Sequence, residues 1–132
     1  MVGVAKCPAD RGSATSYYIR MGSSYGGNVA IGPSFNSLSI MDDPSRPNES
    51  RMSCKFTDVK SPVRMVILGE QGCFSIAWHG QDAPAEEYRH SKFPNPHWNV
   101  AFADGHAQFL KMTFKAPMIT RWTADYTFDR DR

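Results

Sequence analysis

The sequence predicts a mainly β domain: an antiparallel sheet, rich in loops and poor in helix. Three observations carry this expectation. Residues 98–112, WNVAFADGHAQFLKM, alternate apolar and polar positions on both sides of Asp104-Gly105, the pattern of a hairpin. Elsewhere the apolar runs are short and bounded by Gly, Pro, Ser and Asn, which read as turns. No stretch keeps one apolar face at the helical period of about 3.6 residues.

In chain order, residues 16–21, SYYIRM, form the first strand candidate. Residues 21–50 are crowded with Gly, Pro, Ser and Asn and read as loops framing short strands; 42–51, DDPSRPNESR, is an exposed polar loop. Residues 63–68, VRMVIL, opened by Pro62, fit a buried strand, and 73–79, CFSIAWH, a second. Residues 81–96 are a polar loop with three prolines. In the hairpin, Asp104-Gly105 reads as a two-residue type I′ turn, because Asp and Gly best tolerate positive φ at both central positions. That turn sets Phe102 opposite Ala107 and Val100 opposite Phe109. Val100, Phe102, Ala107 and Phe109 then form the core face, with His106 and Gln108 pointing outward.

The chain has 132 residues, which suits a single domain over 1–132, able to hide roughly two-thirds of its unfolded surface. Hydrophobic residues make up 41% and charged residues 21%, so wholesale disorder is excluded. A net charge of +2, with Lys and Arg scattered, argues against a nucleic-acid partner. No apolar run reaches the roughly 18 residues of a membrane helix, and residues 1–7 are too short for a signal peptide. The chain itself is expected to make no membrane contact. Three cysteines, Cys7, Cys54 and Cys73, cannot all pair internally. Either Cys7–Cys54 closes a long loop, worth about 2–4 kcal/mol, or the thiols are free and buried; the sequence leaves both open.

Two constellations offer chemistry. His79, His90, His97 and His106, with Asp104 and Glu70, hold the donor types of a zinc or iron site, although no pair has the i, i+4 helical spacing. Gly22-Ser23-Ser24-Tyr25-Gly26 matches the Gly-x-Ser-x-Gly nucleophile pattern, which has meaning at a strand-to-helix elbow in a much larger sheet. Since a triad is defined by geometry, Ser24 with His90 or His106 and Asp104 gives an alternative function: a small hydrolase of esters or lactones, with calcium as a helper. The aromatic residues, 12% of the chain, are expected to pack in the core and sheet.

Four motifs bring a family into view. Arg89-His90, then Asn99-Val100-Ala101-Phe102-Ala103-Asp104-Gly105, resembles the C-terminal His, nine residues, Asp-Gly pattern of bacterial prepilin-type proteins. Lys6-Cys7-Pro8-Ala9-Asp10 resembles that family's Cys-Pro-x-Asp segment, and Ser16-Tyr17-Tyr18 the strand after it. Ser61-Pro62 through Leu68-Gly69-Glu70 resembles its Pro-led strand ending in an acid. The motifs come in the family's order and span most of the chain. Thirteen residues separate His90 from Asp104, so the chain carries an insertion here, which the Pro94-Asn95-Pro96-His97 stretch supplies.

The resemblance implies a pseudopilin-like globular domain of the α+β family, without the leader and long apolar N-terminal helix that family members carry. It implies assembly rather than catalysis: a subunit of a cell-envelope filament or type II secretion-like system, extracytoplasmic, meeting copies of itself or pilin-like subunits. Arg89, His90, Asn99, Asp104 and Gly105 become its structural motif, with His90 locking the preceding loop against the hairpin or its turn. Related major pseudopilins bind calcium in a loop of the C-terminal sheet. The oxygen donors available for that here are Asp104, Asp125, Asp129 and Asp131, or Asp42, Asp43 and Asn48.

Overall fold

The computed structural model of the chain describes residues 6–10, 18–19, 22–31, 39–41, 57, 59–74, 88–91, 95–115, 118–120 and 122–129, with backbone alone for 29–31, 39–41 and 118. In chain order its strands are β1 (Tyr25–Gly27), β2 (Val29–Ile31), β3 (Ser39–Met41), β4 (Val66–Glu70), β5 (His97–Phe102), β6 (Ala107–Lys111), β7 (Phe114–Lys115) and β8 (Met118–Ile119). An open antiparallel sheet runs β1-β4-β5-β6. β2 and β3 pair in parallel, and β7 and β8 antiparallel, as two small ribbons. Among the described residues, α-helix is confined to turns at 18–19 and 71–74. The domain is therefore mainly β, as the alternation predicts.

The hairpin forms where expected, but its register is shifted by one. Val100 pairs with Gln108, Asn99 with Phe109 and Trp98 with Leu110. The turn explains the shift. Gly105 N–H bonds Phe102 C=O, and Phe102 N–H bonds His106 C=O, each at 2.9 Å. Gly105 alone is needed at positive φ, 95°. This is a three-residue loop, a turn over Ala103 and Asp104 followed by a glycine bulge, rather than a two-residue type I′ turn. Because strand side chains alternate, the extra residue exchanges the faces of β6. Leu110 is buried, whereas Ala107 and Phe109, expected in the core, are exposed.

Two strand expectations fail locally. Residues 18 and 19 are helical, not extended, and the remainder of 16–21 lies outside the described residues. Cys73 and Phe74 belong to the helical turn that follows β4; 75–80 lie outside. A short apolar run fits a buried helical turn as well as a strand, and here the chain must turn away after Glu70. The strand expected at 63–68 begins later, at Val66. Pro62 opens a turn in which Arg64 and Met65 N–H both bond Ser61 C=O at 3.0 Å.

β4 carries a bulge that decides the site. Val66 pairs with Phe102, but Leu68 pairs with Ala101, leaving Ile67 as an extra residue. Val66 and Gly69 thus face the core, while Leu68 and Glu70 face the other side. A Cβ on Gly69 would stand 3.0 Å from Val100 Cγ1 and 3.2 Å from Cys73 Sγ, so any side chain here would push those neighbours back by a few tenths of an ångström. The core gathers Val66, Cys73, Phe74, Trp98, Val100, Phe102, Leu110, Met112, Ile119, Tyr126 and Phe128. Asn28 ties its edges together, donating from Nδ2 to Val66 O at 2.7 Å and Phe128 O at 3.0 Å.

Candidate functional site

The face of the sheet opposite the core carries a polar cluster built from five separated stretches. Residues 7–10 form a tight turn, Asp10 N–H to Cys7 C=O at 2.8 Å, with Pro8 pre-setting its first central φ. Residues 88–91 form another, with Arg89 and His90 at its centre. Ser91 Oγ accepts the N–H of His97 at 2.8 Å, pinning that turn to the start of β5. Glu70 closes β4, and the backbone of Ser24, just before β1, accepts from Gln71 N–H at 3.0 Å.

Glu70 is the hub, 1% exposed. Its Oε2 accepts Asn99 N–H at 2.9 Å. Its Oε1 lies 3.0 Å from His90 Nε2 and 3.9 Å from Arg89 Nη1. Arg89 Nη2 reaches Asp10 Oδ2 at 3.1 Å, and Ser24 Oγ donates to that same oxygen at 2.9 Å. A buried guanidinium bridging two buried carboxylates is stable only while its partners are in place.

Three groups converge on one nitrogen of His90. Besides Glu70 Oε1, Cys7 Sγ lies 3.2 Å and Asn99 Nδ2 3.4 Å from Nε2. The ligand atoms of Cys7, Glu70 and His90 all lie within 4.8 Å of one another. Burial pushes the Cys7 thiol up, helped by the Glu70 carboxylate, and burial also raises the Tyr25 phenol beside it. Such a thiol is a poor free nucleophile. In an activated Cys–His pair a third group orients the base; here the carboxylate crowds the same nitrogen as the thiol. The cluster is suited to holding chain segments together or to ligating a cation.

The other sequence candidates are placed as follows. Ser24 is fully buried with its hydroxyl on Asp10, and Gly22–Gly26 leads into β1 rather than through a strand-to-helix elbow. Asp104 pairs with His106 across the hairpin loop, Oδ1 to Nδ1 at 2.6 Å. His90 docks midway along the hairpin, its ring 5.5 Å from that of Phe109, and its Nε2 faces Cys7, Glu70 and Asn99 rather than the Asp104-Gly105 loop. Asp125 sits in an exposed turn and Asp129 is buried beside Thr127. Among the described residues, Cys7, Glu70 and His90 form the one group of three or more metal-binding side chains. His97 stacks on Phe109 at 5.4 Å. His79, Asp42, Asp43, Asn48 and Asp131 lie outside the described residues. Cys7 and Cys73 are free, buried thiols, so Cys7 is not bridged to Cys54, itself outside the described residues.

Sequence reasoning placed Cys7 and Asp10 in a motif but not in a site with Glu70. The signal was the Pro-x-Asp turn, which brings Cys7 and Asp10 to the two ends of one tight turn. No protein-family model, no curated protein and no solved structure matches the chain.

Proposed function

We propose that this chain is a non-enzymatic, pseudopilin-like assembly domain of the α+β class, whose surface meets copies of itself or pilin-like subunits in a cell-envelope filament or type II secretion-like system. One observation carries the reading. Of the stretches that resemble the prepilin-type pattern, 6–10, 61–70, 89–90 and the Asn99 end of the hairpin supply Cys7, Asp10, Glu70, Arg89, His90 and Asn99, while Asp104-Gly105 stays at the hairpin tip; the six meet in a single cluster whose charged side chains are almost fully buried. Motifs that converge on a buried ion-pair network hold a fold together; reacting groups need access to substrate. An exposed apolar strip on the same face, Leu68 and Phe109, offers contact surface for a neighbour.

Light scattering over a concentration series tests this. Self-association is expected, weakened by Phe109→Glu. A monomer at every concentration would sink the assembly reading. A panel of model esters and lactones should show no turnover above background, and Ser24→Ala should change nothing there. Turnover that survives purification and disappears with Ser24→Ala would install the hydrolase instead.

A further inference from the structure

We propose that Cys7, Glu70 and His90 form a transition-metal site, with zinc the best-suited ion, that clasps the 7–10 turn to the sheet. The inference is independent of the assembly reading. It rests on the number of groups gathered at one nitrogen. An imidazole Nε2 holds either one proton or one available lone pair. Around it stand a thiol at 3.2 Å, a carboxylate oxygen at 3.0 Å and a side-chain amide at 3.4 Å. A single proton serves one of these well. A cation placed between Sγ, Oε1 and Nε2 serves all three ligands at once.

The donor set selects the ion. One sulfur, one nitrogen and one carboxylate oxygen are too soft for calcium or magnesium and suit zinc or a neighbouring divalent metal. Tetrahedral zinc, with bonds of about 2.0–2.3 Å, needs its ligand atoms about 3.4–3.6 Å apart. The observed 3.0 and 3.2 Å therefore open by a few tenths of an ångström, within the reach of small side-chain rotations. Asn99 N–H on Glu70 Oε2, at 2.9 Å, leaves Oε1 for the metal and fixes the carboxylate's direction, the role outer partners play around metal ligands. Arg89 lies 3.9 Å from the same Oε1 and opposes the cation; with Asp10 accepting its other amino group, its charge is drawn away from the site. His90, 23% exposed, marks the way in, and three protein ligands leave a fourth position for water. Uptake balances simply: the metal bonds Sγ and the thiol proton leaves to solvent.

The test uses the full chain, stripped with a chelator and kept reduced, then titrated with Zn²⁺ alone and with Co²⁺ alone. One equivalent should bind, raise the melting temperature, and give with Co²⁺ a thiolate-to-metal charge-transfer band. Cys7→Ser should abolish the band and weaken zinc binding by more than about 100-fold, beyond the usual loss from an outer partner; His90→Gln should weaken it similarly. Cys73→Ser should leave both unchanged. Melts in chelator separate folding losses from metal losses. X-ray absorption of the zinc-loaded wild type needs no variant and should find one sulfur near 2.3 Å among nitrogen and oxygen neighbours. A shell without sulfur, no cobalt band in folded wild type, or a band that persists in Cys7→Ser would each overturn the site.

Discussion

Two carboxylate–imidazole pairs sit on this sheet, and the closer one is the weaker. Asp104 and His106 meet at 2.6 Å at the tip of the hairpin, two residues apart in sequence, with side chains 32% and 42% exposed. Glu70 and His90 meet at 3.0 Å, twenty residues apart, with Glu70 almost wholly out of water. At the tip, water screens the charges and competes for every hydrogen bond, so the pair adds little to the fold. In the cluster the Glu70 carboxylate and the Arg89 guanidinium are almost wholly out of water, and removing one partner strands the other. Burial and the number of shared partners, not the distance, set what such a pair does.

The sharpest way to break this contrast is Glu70→Ala. It removes a carboxylate that serves Arg89, His90 and the Asn99 amide together, and should cost about 3–5 kcal/mol in a urea melt, a large share of a typical domain's stability. Arg89→Ala should cost a similar amount, and the double variant clearly less than their sum. A loss under about 1 kcal/mol for Glu70→Ala would mean that the cluster tolerates an orphaned cation.

A phenol extends the comparison to a neutral group. Tyr126 donates its hydroxyl to Thr120 C=O at 2.8 Å, and burial lifts its pKa from 10.0 to about 12. The folded state thus favours the neutral phenol. Its contribution is complete below pH 10, where both states are protonated, and is lost as pH rises toward 12 and the unfolded chain ionises first. The loss should reach about 2–3 kcal/mol, read as alkaline destabilisation that Tyr126→Phe removes. A Tyr126→Phe protein with the same alkaline profile would place the effect elsewhere.

The hairpin tip has its own demand, and it is conformational. Gly105 has φ 95° with no atom within 4 Å of where a Cβ would be. Gly105→Val should cost about 1–2 kcal/mol through backbone strain alone, and Gly105→Asn less. An unchanged denaturation midpoint for valine would show that the loop relaxes freely.

The smallest effect is expected at Asp104. The His106 side-chain hydrogen bond holds its carboxyl below 3.8. The contribution is present above pH 3.8 and is lost as pH falls through the lower folded value. Carboxyl NMR should show the depressed titration while Asp104→Asn leaves the melting temperature essentially unmoved. A large melting shift would put the tip and the cluster on equal terms.

Much of the fold was legible where it is local. The hairpin announced itself because alternation and turn residues lie within fifteen positions, 98–112. Its register did not, because Asp-Gly serves both a two-residue turn and the end of a three-residue loop. Leu110 and Met112, both buried, could have chosen between them, since only the longer loop aligns Leu110 with the Trp98, Val100 and Phe102 face. The helical turn at 71–74 was hidden because a brief apolar run has no period to read. Of the candidate site, His90, Arg89 and Asn99 stood in a motif, as did Cys7, Asp10 and Glu70 in two others. Their meeting was not legible: Cys7 and His90 are 83 positions apart, and no spacing rule spans that distance.

The bulge in β4 makes the cluster depend on counting. Had the strand run regularly from Val66, Leu68 and Glu70 would share its face, and the carboxylate would be driven in among Phe74 and Phe128. Ile67 supplies the half-step that sends Glu70 the other way. Its carbonyl accepts Asn28 N–H at 2.9 Å. The site therefore depends on the presence of residue 67: a single-codon deletion inverts the polarity of the strand's end and dissolves the site without touching any residue in it.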